Sequence, residues 1–180
     1  MNAKYHFVST FRITGDPELV WRVLSDVERW ILWWRCLEVS EVLPEGERTA
    51  DGDSPAVGSA YRHTVRTPFG YRLRYEIRVT GVEPRRSVDA EVSGDLVGRG
   101  RAVAEAAGDE ATVRFLWLVA VSKPWMRRFS PIARPAFTWA HRRLMADFGE
   151  GFTTASGAHL VSTEHVALRP GDASFWVMPE

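Results

Sequence analysis

Between positions 61 and 121 the chain repeats one pattern, in which apolar residues fall at every second position until a short turn signal interrupts them. Tyr61, His63 and Val65 alternate with Arg62, Thr64 and Arg66, and Pro68-Phe69-Gly70 then supplies hairpin chemistry. Tyr71, Leu73, Tyr75, Ile77 and Val79 alternate with Arg72, Arg74, Glu76 and Arg78 until Pro84 breaks the run. Val88, Ala90 and Val92 lead to a turn at Gly94-Asp95, and residues 96–106 and 111–121 lie on either side of Gly108-Asp109-Glu110. Strands in direct hairpin succession build an antiparallel sheet with one apolar face and one wet face. The arginines of these runs (Arg72, Arg74, Arg78, Arg99 and Arg101) fall on the wet face, and the apolar face needs a cover.

The flanking segments supply that cover. Tyr5, Phe7, Phe11 and Ile13 stand at period two and predict a first strand. Asp16-Pro17-Glu18 has the chemistry of a helix start: a capping carboxylate, a proline at the first helical position and an acid at the positive end. Leu19, Val20, Val23, Leu24 and Val27 follow at helical spacing, and Ser25-Asp26 offers a second cap, so two short consecutive helices are expected, ending near Trp34. Leu37 and Val39 open a further strand to Leu43, and the acidic, Gly/Asp-rich residues 44–55 read as a loop. From Pro135, a rotation of about 100° per residue places Phe137, Ala140, His141, Leu144, Phe148 and Phe152 on one stripe, with Trp139, Arg142, Arg143 and Ala146 opposite. Beyond Gly151 the period fades. The expected architecture is α+β: a curved seven-stranded antiparallel sheet around a long C-terminal helix, with two short helices after the first strand. Residues 1–152 form the domain and residues 153–180 a tail.

Charge and cysteine usage exclude several functions. Twenty-three Lys plus Arg balance twenty-three Asp plus Glu, which argues against nucleic acid as a partner. The single cysteine, Cys36, excludes an intramolecular disulfide and a cysteine-cluster metal site. The N-terminal residues contain no apolar signal core, and the longest strongly apolar run, 115–121, is too short to span a bilayer, so a cytoplasmic location is expected.

Three stretches carry a likeness to a known superfamily. The first is Asp16-Pro17 with Val20-Trp21, then Leu24-Ser25-Asp26-Val27-Glu28-Arg29-Trp30 and Trp33-Trp34. The second is Gly94-Asp95-Leu96-Val97-Gly98-Arg99-Gly100, and the third runs from Lys123-Pro124-Trp125-Met126 through Pro131 and Pro135-Ala136-Phe137 to His141 and Met145. Over roughly residues 5–152 the chain resembles the helix-grip (SRPBCC) superfamily of START-type lipid-transfer domains, polyketide cyclases and birch-pollen-allergen-like proteins, and its bacterial polyketide-cyclase-like branch in particular. Ile31-Leu32 stand where that family often carries a proline beside the tryptophans. The resemblance implies a helix-grip fold with a cavity for an apolar ligand between sheet and final helix.

Several residues then become candidates for the cavity wall. Gly98 and Gly100 share a strand face with Ala102 and Ala104 and contribute almost no side-chain volume, which reads either as a hollowed sheet or as close packing against the helix. His63, Tyr61, Tyr75 and His141 are the polar candidates. They offer hydrogen bonds to a ligand carbonyl or hydroxyl, or acid/base groups, and none needs a metal or a cofactor. Trp33, Trp34 and Trp117 are the large aromatic candidates, and two adjacent tryptophans cannot both point into one core. Phe137, Leu144 and Phe148 complete the expected lining from the helix. Each of these residues also has a plain reading as core packing.

Three functions fit: a carrier or sensor of a hydrophobic small molecule or lipid, an enzyme similar to polyketide aromatase/cyclases, or an interaction module. The last would use the face between Trp125 and Trp139. No Asp or Glu occurs between Ala111 and Ala146, whereas Arg114, Lys123, Arg127, Arg128, Arg134, Arg142 and Arg143 do. Aromatics among cations suit peripheral contact with an anionic membrane, or a homodimer. Phe175-Trp176-Val177-Met178 in the tail offers a further apolar cover for Trp139.

Overall fold

The computed structural model describes residues 4–44 and 55–168, without the side chains of residues 124–133. The acidic stretch 45–54, the aromatic tail segment 175–178 and the side chains of Trp125, Arg127 and Arg128 therefore lie outside the described residues.

The chain forms β1 (Lys4–Thr14), α1 (Pro17–Ser25), a 3-10 helix (Val27–Leu32) and β2 (Leu37–Val42). The strands β3 (Ala60–Arg66), β4 (Arg72–Glu83), β5 (Ser87–Gly94), β6 (Leu96–Ala107) and β7 (Glu110–Val121) follow as successive hairpins. The long helix α2 (Pro124–Ser156) and a last strand, β8 (His159–Leu168), complete the order. The caps form as the residue types dictate: the Asp16 carboxylate accepts from the Glu18 amide at 2.9 Å, with Pro17 in the first turn. Asp26 begins the second helix but its side chain makes no capping bond, and that helix is 3-10 rather than α.

The strands make one antiparallel sheet in the order β2-β3-β4-β5-β6-β7-β1-β8. Among the described residues it has eight strands rather than seven. β8 pairs with β1 along His6–Leu168 to Thr14–His159, where the sequence offered only a tail without a period. The reason is visible in its burial: Leu160, Val161 and Val166 are all exposed, so an edge strand held by backbone hydrogen bonds carries no one-sided apolar pattern. α2 is also longer than its stripe suggested, and it ends at Gly157, whose φ of 64° makes a left-handed cap.

α2 lies in the hollow of the sheet and buries the predicted stripe. Phe148 and Phe152 are fully buried, Ala140 and Met145 nearly so, while Phe137 and Leu144 are half-buried against the same core. Opposite them sit the inward residues of β1, Phe7, Ser9, Phe11 and Ile13, and of β7, Val113, Phe115 and Val119. The loop after the 3-10 helix is tied to α2 by polar contacts. Arg35 bridges Asp147 at 2.6 Å and Glu150 at 2.8 Å, and the Cys36 amide donates to Asp147 at 3.2 Å. On the outer face, Arg66 and Arg72 share Glu38, Arg101 pairs with Asp89, and Arg114 pairs with Glu105. No helix among the described residues is long and apolar enough to cross a membrane.

Candidate functional site: two cavities under the long helix

Among the described residues, packing between α2 and the sheet leaves at least two spaces. A first cavity of about 90 Å³ lies between α1, the 3-10 helix and strands β3 to β7, and is walled by Trp21, Leu24, Trp30, Tyr61, Ile77, Val92, Gly100, Ala102 and Phe115. A second, of about 120 Å³, lies toward the start of β1 and is walled by Tyr5, Phe7, Val65, Tyr71, Leu73, Val119, Phe137, His141 and Leu144. Both exceed the space one water needs. Trp34, Tyr75, Trp117 and Met145 line both cavities, so these four side chains form the partition between them.

The local chemistry explains why the partition stands there. Gly100 pairs with Trp117 in the β6–β7 ladder, and a Cβ added at Gly100 would come within 3.7 Å of the indole ring. Absence of a side chain leaves space beside that ring. Tyr75 meets Trp117 edge-on, with centroids 6.1 Å apart. Trp34 is anchored from the other side by its indole N–H, which donates to the Leu144 carbonyl of α2 at 3.3 Å. Met145 completes the set with a flexible thioether chain that fills irregular space at low cost.

Of the residues expected on the wall, Trp34, Tyr61, Tyr75, Gly100, Trp117, Phe137, His141, Leu144 and Phe148 line one cavity or both. Three do not. Trp33 packs its ring on Phe148 at 5.0 Å and on Phe152 at 6.0 Å, outside both cavities, which resolves the pair of adjacent tryptophans in favour of Trp34. Gly98 is a contact rather than a hollow: a Cβ there would overlap the Leu118 carbonyl of β7, and its φ is 154°. His63 is 0% exposed and lies in the wall behind the partition, between Tyr61 of the first cavity and Val65 of the second. Its ring is enclosed by those of Tyr75 at 5.7 Å, Trp30 at 6.0 Å and Tyr61 at 6.5 Å, and neither nitrogen has a hydrogen-bond partner.

Burial controls the charge of His63, Tyr75 and His141. It pulls the His63 imidazole down to about 4. It pulls His141 down to about 3, with a smaller push from His165. The same burial raises the Tyr75 hydroxyl above the ordinary phenol range. All three are neutral at pH 7. Burial and Asp147 push the Cys36 thiol up to about 12, so it is protonated at neutral pH. Among the described residues, no Asp or Glu stands on either cavity wall, and no group of three or more His, Cys, Asp or Glu is placed to hold a metal ion.

Sequence reasoning passed over Met145, whose helical position sits just off the predicted stripe, and Ser9, an inward polar residue in a strand read from its aromatics. Period two through Tyr5, Phe7, Phe11 and Ile13 was the signal that places Ser9 inside. Beside the second cavity, Phe69 on the β3–β4 turn and Trp139 on α2 are 50% and 53% exposed, with ring centroids 5.5 Å apart. Trp139 thus faces outward as its helical position predicts. The expected cationic face is partly neutralised by Arg114–Glu105 and by Lys123–Asp95 at 2.8 Å, while Arg134 lies over the Tyr5 ring.

Residues 13–148 match the family described as polyketide cyclase/dehydrase and lipid transport. No protein among the curated sequences matches the chain. Solved structures share its fold. TTHA0849 from Thermus thermophilus is 15% identical with a TM-score of 0.69, over 84% of this chain and 96% of that one. The ZhuI aromatase/cyclase from Streptomyces sp. R1128 is 15% identical with a TM-score of 0.67, over 86% and 94%. A START superfamily protein from Mycobacterium smegmatis is 17% identical with a TM-score of 0.54, over 78% and 98%.

Proposed function

Because the chain belongs to the polyketide cyclase/dehydrase and lipid transport family, we propose that its paired cavities bind one largely apolar small molecule or lipid, and carry or sense it without transforming it. The observation that supports this reading is an almost wholly apolar wall on which His141 and Tyr75 are uncharged. An acid/base catalyst working near neutral pH needs a group whose pKa lies near that pH. His141 and Tyr75 are displaced from neutrality in opposite directions, and both displacements favour the uncharged form. Such groups hydrogen-bond a ligand well and exchange protons with it poorly. A ligand filling both cavities displaces the partition, and Met145 and Trp34 are the side chains with an aliphatic or hinged path to move.

The second reading is an enzyme similar to aromatase/cyclases, and His141 on the wall of the second cavity is the observation that favours it. One experiment separates the two. Small molecules extracted from the purified protein are identified by mass spectrometry, reloaded, and analysed again after incubation. A carrier returns the same mass and structure, and replacing His141 by Phe changes affinity only. Conversion of the reloaded molecule, abolished in His141→Phe, would establish the enzyme instead. If nothing is extracted and the apolar probe 1-anilinonaphthalene-8-sulfonate does not bind at sub-millimolar concentration, neither reading stands.

A further inference from the structure

Three polar side chains from three elements meet beneath α2. Ser9 on β1 is 0% exposed, and its hydroxyl lies 3.3 Å from His141 Nε2 on α2 and 3.0 Å from His165 Nδ1 on β8. Ser9 and His165 are register partners in the β1–β8 ladder, so the sheet itself holds one imidazole to the hydroxyl. The His141 ring is fixed by stacking on Phe7, with centroids 4.1 Å apart and planes within 10°. The His165 ring stands edge-on to Phe11 at 5.8 Å. Ser9 and His165 both lie outside residues 13–148, so this arrangement adds to what the family match covers.

Among the described residues the Ser9 hydroxyl has only these two neutral imidazoles as hydrogen-bond neighbours, so its one proton goes to one of them and couples their tautomers. If Ser9 donates to His165, His141 must donate from Nε2, and its Nδ1 is a bare acceptor. If Ser9 donates to His141, then His165 donates from Nδ1, and His141 carries its proton on Nδ1. The second arrangement is favoured by the far side of His165. Its Nε2 is buried without a partner, and a buried N–H left unpaired costs more than an acceptor left unpaired. Since Nε2 of His141 is taken by Ser9, Nδ1 is the nitrogen His141 has to offer a ligand in the second cavity.

We propose that the chain His165–Ser9–His141 fixes His141 as a hydrogen-bond donor in the second cavity, so that the site selects apolar molecules bearing a carbonyl. The ligand part of this inference rests on the cavities being a binding site; the tautomer part does not. Ser9 and His165 are positioning residues in this scheme, and β8 belongs to the site through His165.

Two measurements test it. Heteronuclear NMR of the imidazole nitrogens in the wild-type protein at neutral pH should find His141 protonated on Nδ1 and His165 on Nδ1. In Ser9→Ala, His141 should shift toward the Nε2–H form. A wild-type His141 protonated on Nε2 would overturn the proposal, whether or not any variant folds. For selectivity, the matched probes are 2-acetonaphthone and 2-isopropenylnaphthalene, which share a shape and differ in the carbonyl. The ratio of their affinities should favour the ketone in the wild type and fall by roughly three- to tenfold in Ser9→Ala and His165→Leu, the worth of one hydrogen bond. An unchanged ratio would overturn the selectivity. Failure of both probes to bind, with His141 protonated on Nδ1, would overturn the cavity reading and leave the relay standing.

Discussion

His63 is enclosed by three aromatic rings without a hydrogen-bond partner, and its protonated form is therefore disfavoured in the folded state. In the unfolded chain the imidazole titrates near its ordinary 6.5, and in the folded protein near 4. Between these values the unfolded state holds the extra proton, so acid favours unfolding. The contribution is complete above about pH 6.5 and is lost as the pH falls toward 4, with a magnitude on the order of 3 kcal/mol. His141 acts in the same direction. The urea midpoint is expected to drop between pH 7 and pH 4.5, and to drop less in His63→Phe; equal drops in the two proteins would show that His63 does not titrate in this way. A second residue-scale expectation concerns Gly100. A Cβ there meets only ordinary contacts, at 3.7 Å from Trp117, so Gly100→Val should fold with its midpoint unchanged or raised while its methyl groups fill the first cavity. Affinity for 1-anilinonaphthalene-8-sulfonate should fall about tenfold, and an unaltered affinity would place the probe elsewhere.

α2 is the element on which the core is assembled. Phe148 is 1% exposed and touches rings from four other parts of the chain: Phe11 at 5.9 Å, Trp30 at 5.4 Å, Trp34 at 5.3 Å and Phe115 at 4.9 Å. Removing it by Phe148→Ala should cost about 3–5 kcal/mol in chemical denaturation, because so many rings cannot collapse into the space together. A loss below about 1 kcal/mol would mean that the helix is not held there. Gly151 makes the opposite point. Alanine is the better helix former by about 1 kcal/mol, yet a Cβ at this position would overlap the Trp33 carbonyl, and backbone cannot move aside cheaply. Gly151→Ala should lower the urea midpoint, and a rise would show that the 3-10 segment and α2 are less closely joined.

At the scale of the whole molecule, β8 closes the edge that β1 would otherwise leave open, since β1 lies between β7 and β8 in the sheet. The chain truncated after Gly157 exposes the hydrogen-bonding groups of β1, which is a template for another strand. It should unfold at lower urea and self-associate in size-exclusion chromatography at concentrations where the full chain does not. A truncated protein of unchanged stability and size would reduce β8 to an ornament of the edge. The same truncation removes His165 and so releases Ser9 and His141, linking the rim of the sheet to the wall of the second cavity.

The succession of β1 to β7, the two short helices and the buried stripe of α2 were legible in the sequence, because period-two and 3.6-residue patterns are set by which side of a local element meets water. Tyr75, Trp117 and His141 were readable as inward residues for the same reason. What the sequence could not contain was the relation between elements. Trp33 and Trp34 are neighbours in the chain, and only the placement of α2, with the Leu144 carbonyl in reach of one indole, decides which enters the cavities. Gly98 and Gly100 look alike along β6 until the register with β7 sets one against a carbonyl and the other beside an indole. β8 left no apolar period because its stability comes from backbone pairing at an edge. His165 therefore meets Ser9 across 156 positions of sequence through a register that no local pattern encodes.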